Sequence, residues 1–108
     1  MLNLFLNFVA GALLCNSIPH LAAGLRGEMF PSPFASPPGV GNSRPVVNVI
    51  WGLCNVVGGI ALLEYAPVAV GLNISFCSAV MGALLTGVGL GWHFGRVRGK
   101  YPHLYADE

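Results

Sequence analysis

Apolar residues fill three long stretches of the chain, residues 1–25, 46–63 and 68–95. Two segments of different character separate and follow them: a proline-rich stretch over residues 26–45 and a basic tail over residues 96–108. About 20 consecutive apolar residues carry a helix across the hydrocarbon of a bilayer. The pattern therefore predicts an all-α membrane protein, a single transmembrane domain of three helices.

Within each stretch the small and polar positions keep helical spacing. In the third, Gly71, Ser75, Ala79, Ala83, Gly87, Gly91 and Gly95 recur at every fourth residue. Positions four apart share a helix face, and small residues there let a second backbone approach in lipid. Each step of four overshoots a full turn by about 40°, so the ridge winds roughly 240° round the helix. Its outer and inner halves are expected to serve different neighbours. In the second stretch, Asn48, Gly52, Asn55 and Gly59 repeat at 4, 3 and 4, one small and polar stripe with Trp51 a step aside. It is the natural counterface for the third-helix ridge or for the asparagines of the first helix. In the first stretch, Asn3, Asn7, Gly11 and Cys15 share a face, and Asn16 and His20 share another. A carboxamide in lipid needs a partner, so these asparagines should point at other helices. Pro19 removes a backbone donor, and the helix is expected to kink or end there.

The connections differ. Residues 26–45 hold Pro31, Pro33, Pro37, Pro38 and Pro45, which rule out a regular helix or a central strand. Turns and short polyproline pieces are expected, with Met29, Phe30 and Phe34 on the membrane surface. Pro45 suits the first turn of the second helix. Glu64-Tyr65-Ala66-Pro67 reads as a tight turn, which would make helices two and three an antiparallel hairpin.

Composition strengthens the membrane reading. The 108 residues are 55% hydrophobic and 8% charged, with a mean hydropathy of +0.70, against about 25% charged residues in a soluble domain. No Lys or Arg precedes Arg26, so the first stretch fits a retained span better than a cleaved signal. Cys15, Cys54 and Cys77 all lie in apolar stretches, an odd count that speaks for packing rather than disulfides.

The five basic residues fall in two places, Arg26 and Arg44 around the first loop and Arg96, Arg98 and Lys100 in the tail. Three spans put that loop and that tail on one side, and positive charge marks the cytoplasmic side. The expected topology is N-out and C-in. The basic tail beside a membrane points to anionic lipid and topology control rather than to nucleic acid.

Three segments carry a family likeness: Asn16-Ser17-Ile18-Pro19-His20, the run from Pro31 to Gly39, and the run from Pro45 to Asn55. Together they resemble a group of small, uncharacterised integral membrane proteins of bacteria, over roughly the first half of the chain. The resemblance implies a multi-pass protein of the bacterial cytoplasmic (inner) membrane. It implies no activity.

No Asp, Glu, Lys or Arg lies inside an expected span, which counts against a proton-coupled transporter. No catalytic motif and no resident cofactor or metal are expected. His20 and His93 fall near the same ends of their helices and are the only candidates for holding a haem or a metal between them, with His103 as a further ligand; the plainer reading makes each an interfacial side chain. Asn16, His20, Asn48, Trp51 and Asn55 form a candidate polar cluster under the proline loop, read as a network that holds the loop, or else as a small-ligand site. The function expected from these features is a non-enzymatic membrane subunit or accessory protein acting through helix packing. Its partners would be the bilayer and a homo-oligomer or larger membrane complex. An oligomeric carrier or channel for a small solute, or a haem- or metal-binding membrane anchor, are the alternatives.

Overall fold

In a computed structural model, residues 1–100 are described. Three helices, α1 (Leu2–Leu25), α2 (Pro45–Tyr65) and α3 (Ile74–Lys100), are each long and apolar enough to cross a membrane. Tyr101, His103, Tyr105, Asp107 and Glu108 of the expected tail lie outside the described residues.

α1 is the centre of the arrangement. It packs along α2 on one side and along α3 on the other, while α2 and α3 hardly touch. The start of α1 meets the end of α2 and the start of α3: Asn7 Nδ2 donates to the Ala66 carbonyl at 2.8 Å, and Ser78 Oγ to that of Leu4 at 2.6 Å. α1 and α3 thus run parallel, with α2 antiparallel to both. The expected packed hairpin of helices two and three is corrected here, because α1 separates them. The connection is also longer than a tight turn. Gly71 takes a φ of +149°, a region open to glycine, and so stands outside the helix. The start of α3 at Ile74 follows from Asn73, whose Oδ1 accepts the Phe76 N–H at 2.8 Å as an N-cap. Pro67 does not open the helix, and the expected start at Val68 is corrected to Ile74.

Pro19 does not end α1, which continues to Leu25. The proline-rich segment folds back on itself. Phe30–Pro31 (β1) pairs antiparallel with Asn42–Ser43 (β2) in a minimal ribbon, registered Phe30 to Ser43 and Pro31 to Asn42. α3 runs on to Lys100, so Arg96, Arg98 and Lys100 belong to its last turns rather than to a separate tail. Cations there complement the helix dipole. Outside the helices, Arg26 and Glu28 form an exposed ion pair at 2.9 Å. The hydrogen bond from Arg26 holds the Glu28 carboxyl below its usual range.

The interior is small and polar, and the surface is large and apolar. The buried apolar side chains are Ala10, Ala23, Ala35, Ala66 and Val97, whereas Asn7, Ser17, His20, Asn48 and Asn55 are buried as well. Ile50, Val57, Ile60, Leu84, Leu85 and Trp92 are all more than half exposed. In water such a surface would drive aggregation. In lipid it is the expected solution, since apolar side chains gain nothing by leaving the acyl chains and polar ones must find partners inside.

Candidate functional site

The polar side chains gather where α1 and α2 meet the proline loop. Asn48, one turn into α2, is fully buried. Its Nδ2 lies 3.0 Å from the Phe30 carbonyl, 3.3 Å from that of Ser43 and 3.2 Å from that of Arg44. Three acceptors around the nitrogen fix the amide orientation. Oδ1 therefore faces His20, whose Nδ1–H donates to it at 2.7 Å. Nε2 of His20 carries no hydrogen bond among the described residues. One turn further along the interface, Asn16 Nδ2 donates to Asn55 Oδ1 at 3.0 Å, and Asn55 Nδ2 donates to the Trp51 carbonyl at 2.8 Å.

The loop is sewn to this network and to α3. The Ser32 and Ser43 hydroxyls are hydrogen-bonded to each other at 2.6 Å across the ribbon. His93 of α3 donates from Nε2 to the Gly39 carbonyl at 2.7 Å. Aromatic edges close the remaining gaps. Phe30 sits edge-on to His20 at 5.5 Å and packs on Phe94 at 4.7 Å, and Phe34 meets Trp51 at 5.2 Å. Phe30 is thereby drawn inward, while Met29 and Phe34 stay exposed.

Under the loop lies a cavity of about 160 Å³, lined by Asn16, His20, Ser32, Trp51, His93 and Phe94 among others. Trp51 brings a buried indole N–H with no acceptor among the described residues. A buried donor left without an acceptor costs about 1–3 kcal/mol. His20 and His93 line the same hollow, each with one nitrogen already bonded. No cluster of three or more His, Cys, Asp or Glu side chains occurs among the described residues. The three cysteines are free thiols.

Of the predicted cluster, the structure brings Asn16, His20, Asn48, Trp51 and Asn55 together along one α1–α2 seam. All four members of the α2 stripe, Asn48, Gly52, Asn55 and Gly59, are buried there. A Cβ at Gly52 would meet Leu21, and one at Gly59 would meet Leu14. The third-helix ridge is divided. A Cβ at Gly11 of α1 would strike the carbonyl of Ala79, and one at Gly87 would meet Cys15 Sγ at 3.2 Å. Ser75 and Ala83 lie on partly covered turns, Gly91 and Gly95 have open space where a side chain would be, and Gly71 is in the connection. Among the glycines of α3 the closest approach is at Gly82, whose Cβ would run into the Phe8 carbonyl. Gly82 lies between ridge positions. Its signal in the sequence is the second small pair at spacing four, Ser78 and Gly82. Compared with family models, with curated proteins and with solved structures, the chain gave no match in any of the three.

Proposed function

We propose that the chain is a non-enzymatic component of the bacterial cytoplasmic membrane, inserted N-out and C-in. It works by helix packing, as a subunit of a homo-oligomer or of a larger membrane complex. The observation that carries this reading is the bare outer side of α3. Gly95 and Gly99, four residues apart on one face, meet nothing within 4 Å of a built Cβ. Glycine in a helix interior costs about 1 kcal/mol relative to alanine, and within one chain these two gain no close packing in return. A neighbouring helix seated on that side would use them. The topology rests on charge. Arg44 opens α2 at the loop end, and Arg96, Arg98 and Lys100 close α3 beside the same loop, where Gly39 accepts from His93. Positive charge at one end favours that end as cytoplasmic. The carrier alternative asks Asn48 and Asn55 to line a wet path, yet both are buried and bonded within the chain.

The test is the native mass of the protein in a mild detergent. A particle heavier than one 11.3 kDa chain is expected, and Gly95→Leu with Gly99→Leu should reduce it to a single chain without unfolding it. A lone chain from the unmodified protein, with nothing co-purifying, overturns the reading.

A further inference from the structure

The loop end of the bundle is crowded with positive charge. Arg26, Arg44, Arg96, Arg98 and Lys100 all lie there. Of the described acids, Glu64 sits at the other end of α2, and Glu28 is taken up by Arg26, which donates to its two carboxylate oxygens at 3.0 and 2.9 Å. The cations of α3 divide by the side of the helix they occupy. At about 100° per residue, His93, Arg96, Val97 and Lys100 share one side, and Arg98 is turned roughly 150° from its middle.

That shared side meets Val40 of the proline loop around a hollow of about 160 Å³, lined by Val40, His93, Arg96, Val97 and Lys100. The chain itself sets its shape. Val97 is buried. His93 is bonded to the Gly39 carbonyl at 2.7 Å, which holds the adjacent Val40 against α3. Val40 is fixed in turn by its N–H, which donates to the Pro37 carbonyl at 3.1 Å. Arg96 lies with its guanidinium carbon 4.7 Å from the centre of the Trp92 ring. Stacking uses the flat face of the guanidinium and leaves the N–H groups of its edge, which have no hydrogen bond or ion pair with a described residue.

Trp92 sets the depth. It is 64% exposed, one turn before Arg96, and tryptophan favours the headgroup level of a bilayer. The hollow therefore opens among headgroups. The negative end of the α3 dipole is worth about half a charge, and the full charges of Arg96 and Lys100 outweigh it. A guanidinium edge matches phosphate oxygens two at a time, and an ammonium adds a point charge. The hollow is smaller than the roughly 300–1,000 Å³ of a drug-sized pocket, which suits a headgroup.

We infer that this hollow binds the phosphate head of an anionic phospholipid of the phosphatidylglycerol class, whose tails stay in the bilayer beside Trp92. Arg96 grips the phosphate and Lys100 adds the second charge. The apolar walls of Val40 and Val97 shield the contact from water, which strengthens it. A zwitterionic head brings an ammonium into a field of cations and binds less well. Free phosphate offers the same oxyanion without tails, and the experiment separates the two. The site goes beyond the packing role proposed above. It lies roughly 130° round the helix from Gly95 and Gly99, and it needs neither the oligomer nor a particular orientation in the membrane.

The test uses the full chain with Trp51→Phe, which leaves Trp92 as the one tryptophan and removes no hydrogen bond of the Trp51 indole. In phosphatidylcholine nanodiscs, Trp92 fluorescence is titrated with phosphatidylglycerol brominated in its acyl chains, against brominated phosphatidylcholine. Saturable quenching with a preference of about tenfold for phosphatidylglycerol is expected. Arg96→Gln should cut that preference about fivefold. Arg98→Gln removes the same charge from the other side of α3 and should leave it within about twofold. In the unmodified chain, mass spectrometry from detergent should show one retained phosphatidylglycerol, lost with Arg96→Gln. Equal quenching by the two lipids, or equal losses from Arg96→Gln and Arg98→Gln, overturns the site in favour of general surface charge. Displacement by inorganic phosphate, with no effect of chloride at the same ionic strength, overturns the lipid as its occupant.

Discussion

The two faces of α1 are held by opposite means. Against α2 the seam is chemical: His20 bonds Asn48, Asn16 bonds Asn55, and leucines from α1 fill the notches left by Gly52 and Gly59. Against α3 the seam is made by absence. Gly11 and Gly82 let backbone lie on backbone, and Ser78 donates a side-chain hydrogen bond across it to the Leu4 carbonyl. Hydrogen bonds fix a register, because a slip of one residue leaves each amide without its partner. Bare backbone fixes a distance. A chain whose helices gain nothing from apolar burial in lipid needs both, and here they are assigned to different faces.

The sharpest way to break the comparison is to add atoms to the face that has none. Gly82→Leu puts a side chain into the Phe8 carbonyl, so α3 must lift away from α1. The expected loss is about 3 kcal/mol, the upper part of the range for overpacking, measured by denaturant unfolding in detergent. Gly91→Ala on the same helix is the control. Nothing lies near its Cβ, and a gain of up to about 1 kcal/mol from helix propensity is expected. If both changes destabilise alike, the α1–α3 seam is not a backbone contact.

That contrast also explains what could be read from the chain. The α2 stripe was legible because Asn48, Gly52, Asn55 and Gly59 differ from their apolar surroundings and keep the helical period. The ridge on α3 was less informative, since Gly71 to Gly95 at every fourth position winds off any one face. The contact at Gly82 was hidden by the abundance of small residues around it. The start of α3 was misplaced for a similar reason: Val68 to Leu72 is as apolar as the helix that follows. The polar Asn73, two residues past Gly71, was the usable signal for a cap. The cavity could not be foreseen, because it depends on how Phe30, Phe34 and the loop prolines fold back over Trp51 and His20.

On the chemical face, the second-largest effect should come from Asn48→Leu. One amide there serves His20 and the carbonyls of Phe30, Ser43 and Arg44. Its loss leaves buried groups without partners, at about 2 kcal/mol. The loop should loosen before the helices part, so protease cleavage within residues 27–43 is expected to rise more than the overall unfolding. Equal changes in both would make Asn48 a general packing residue and not the anchor of the loop.

The finest test separates a hydrogen bond across lipid-facing helices from the packing around it. Asn16 and Asn55 meet at 3.0 Å, and Asn55 keeps a second bond to the Trp51 carbonyl at 2.8 Å. Asn16→Leu removes only the bridge, whereas Asn55→Leu also leaves that carbonyl with its helical partner alone. The single changes should therefore differ, Asn55→Leu being the more damaging. Their double-mutant cycle should give a coupling of about 0.6 kcal/mol, with about 1.7 kcal/mol as the ceiling seen for such pairs. The value is small because an unfolded helix in lipid also finds partners for its amide. A coupling near zero would mean that the α1–α2 register is set by Leu14 and Leu21 in their glycine notches. Both faces of α1 would then be held by shape, and the division between chemistry and absence would fall.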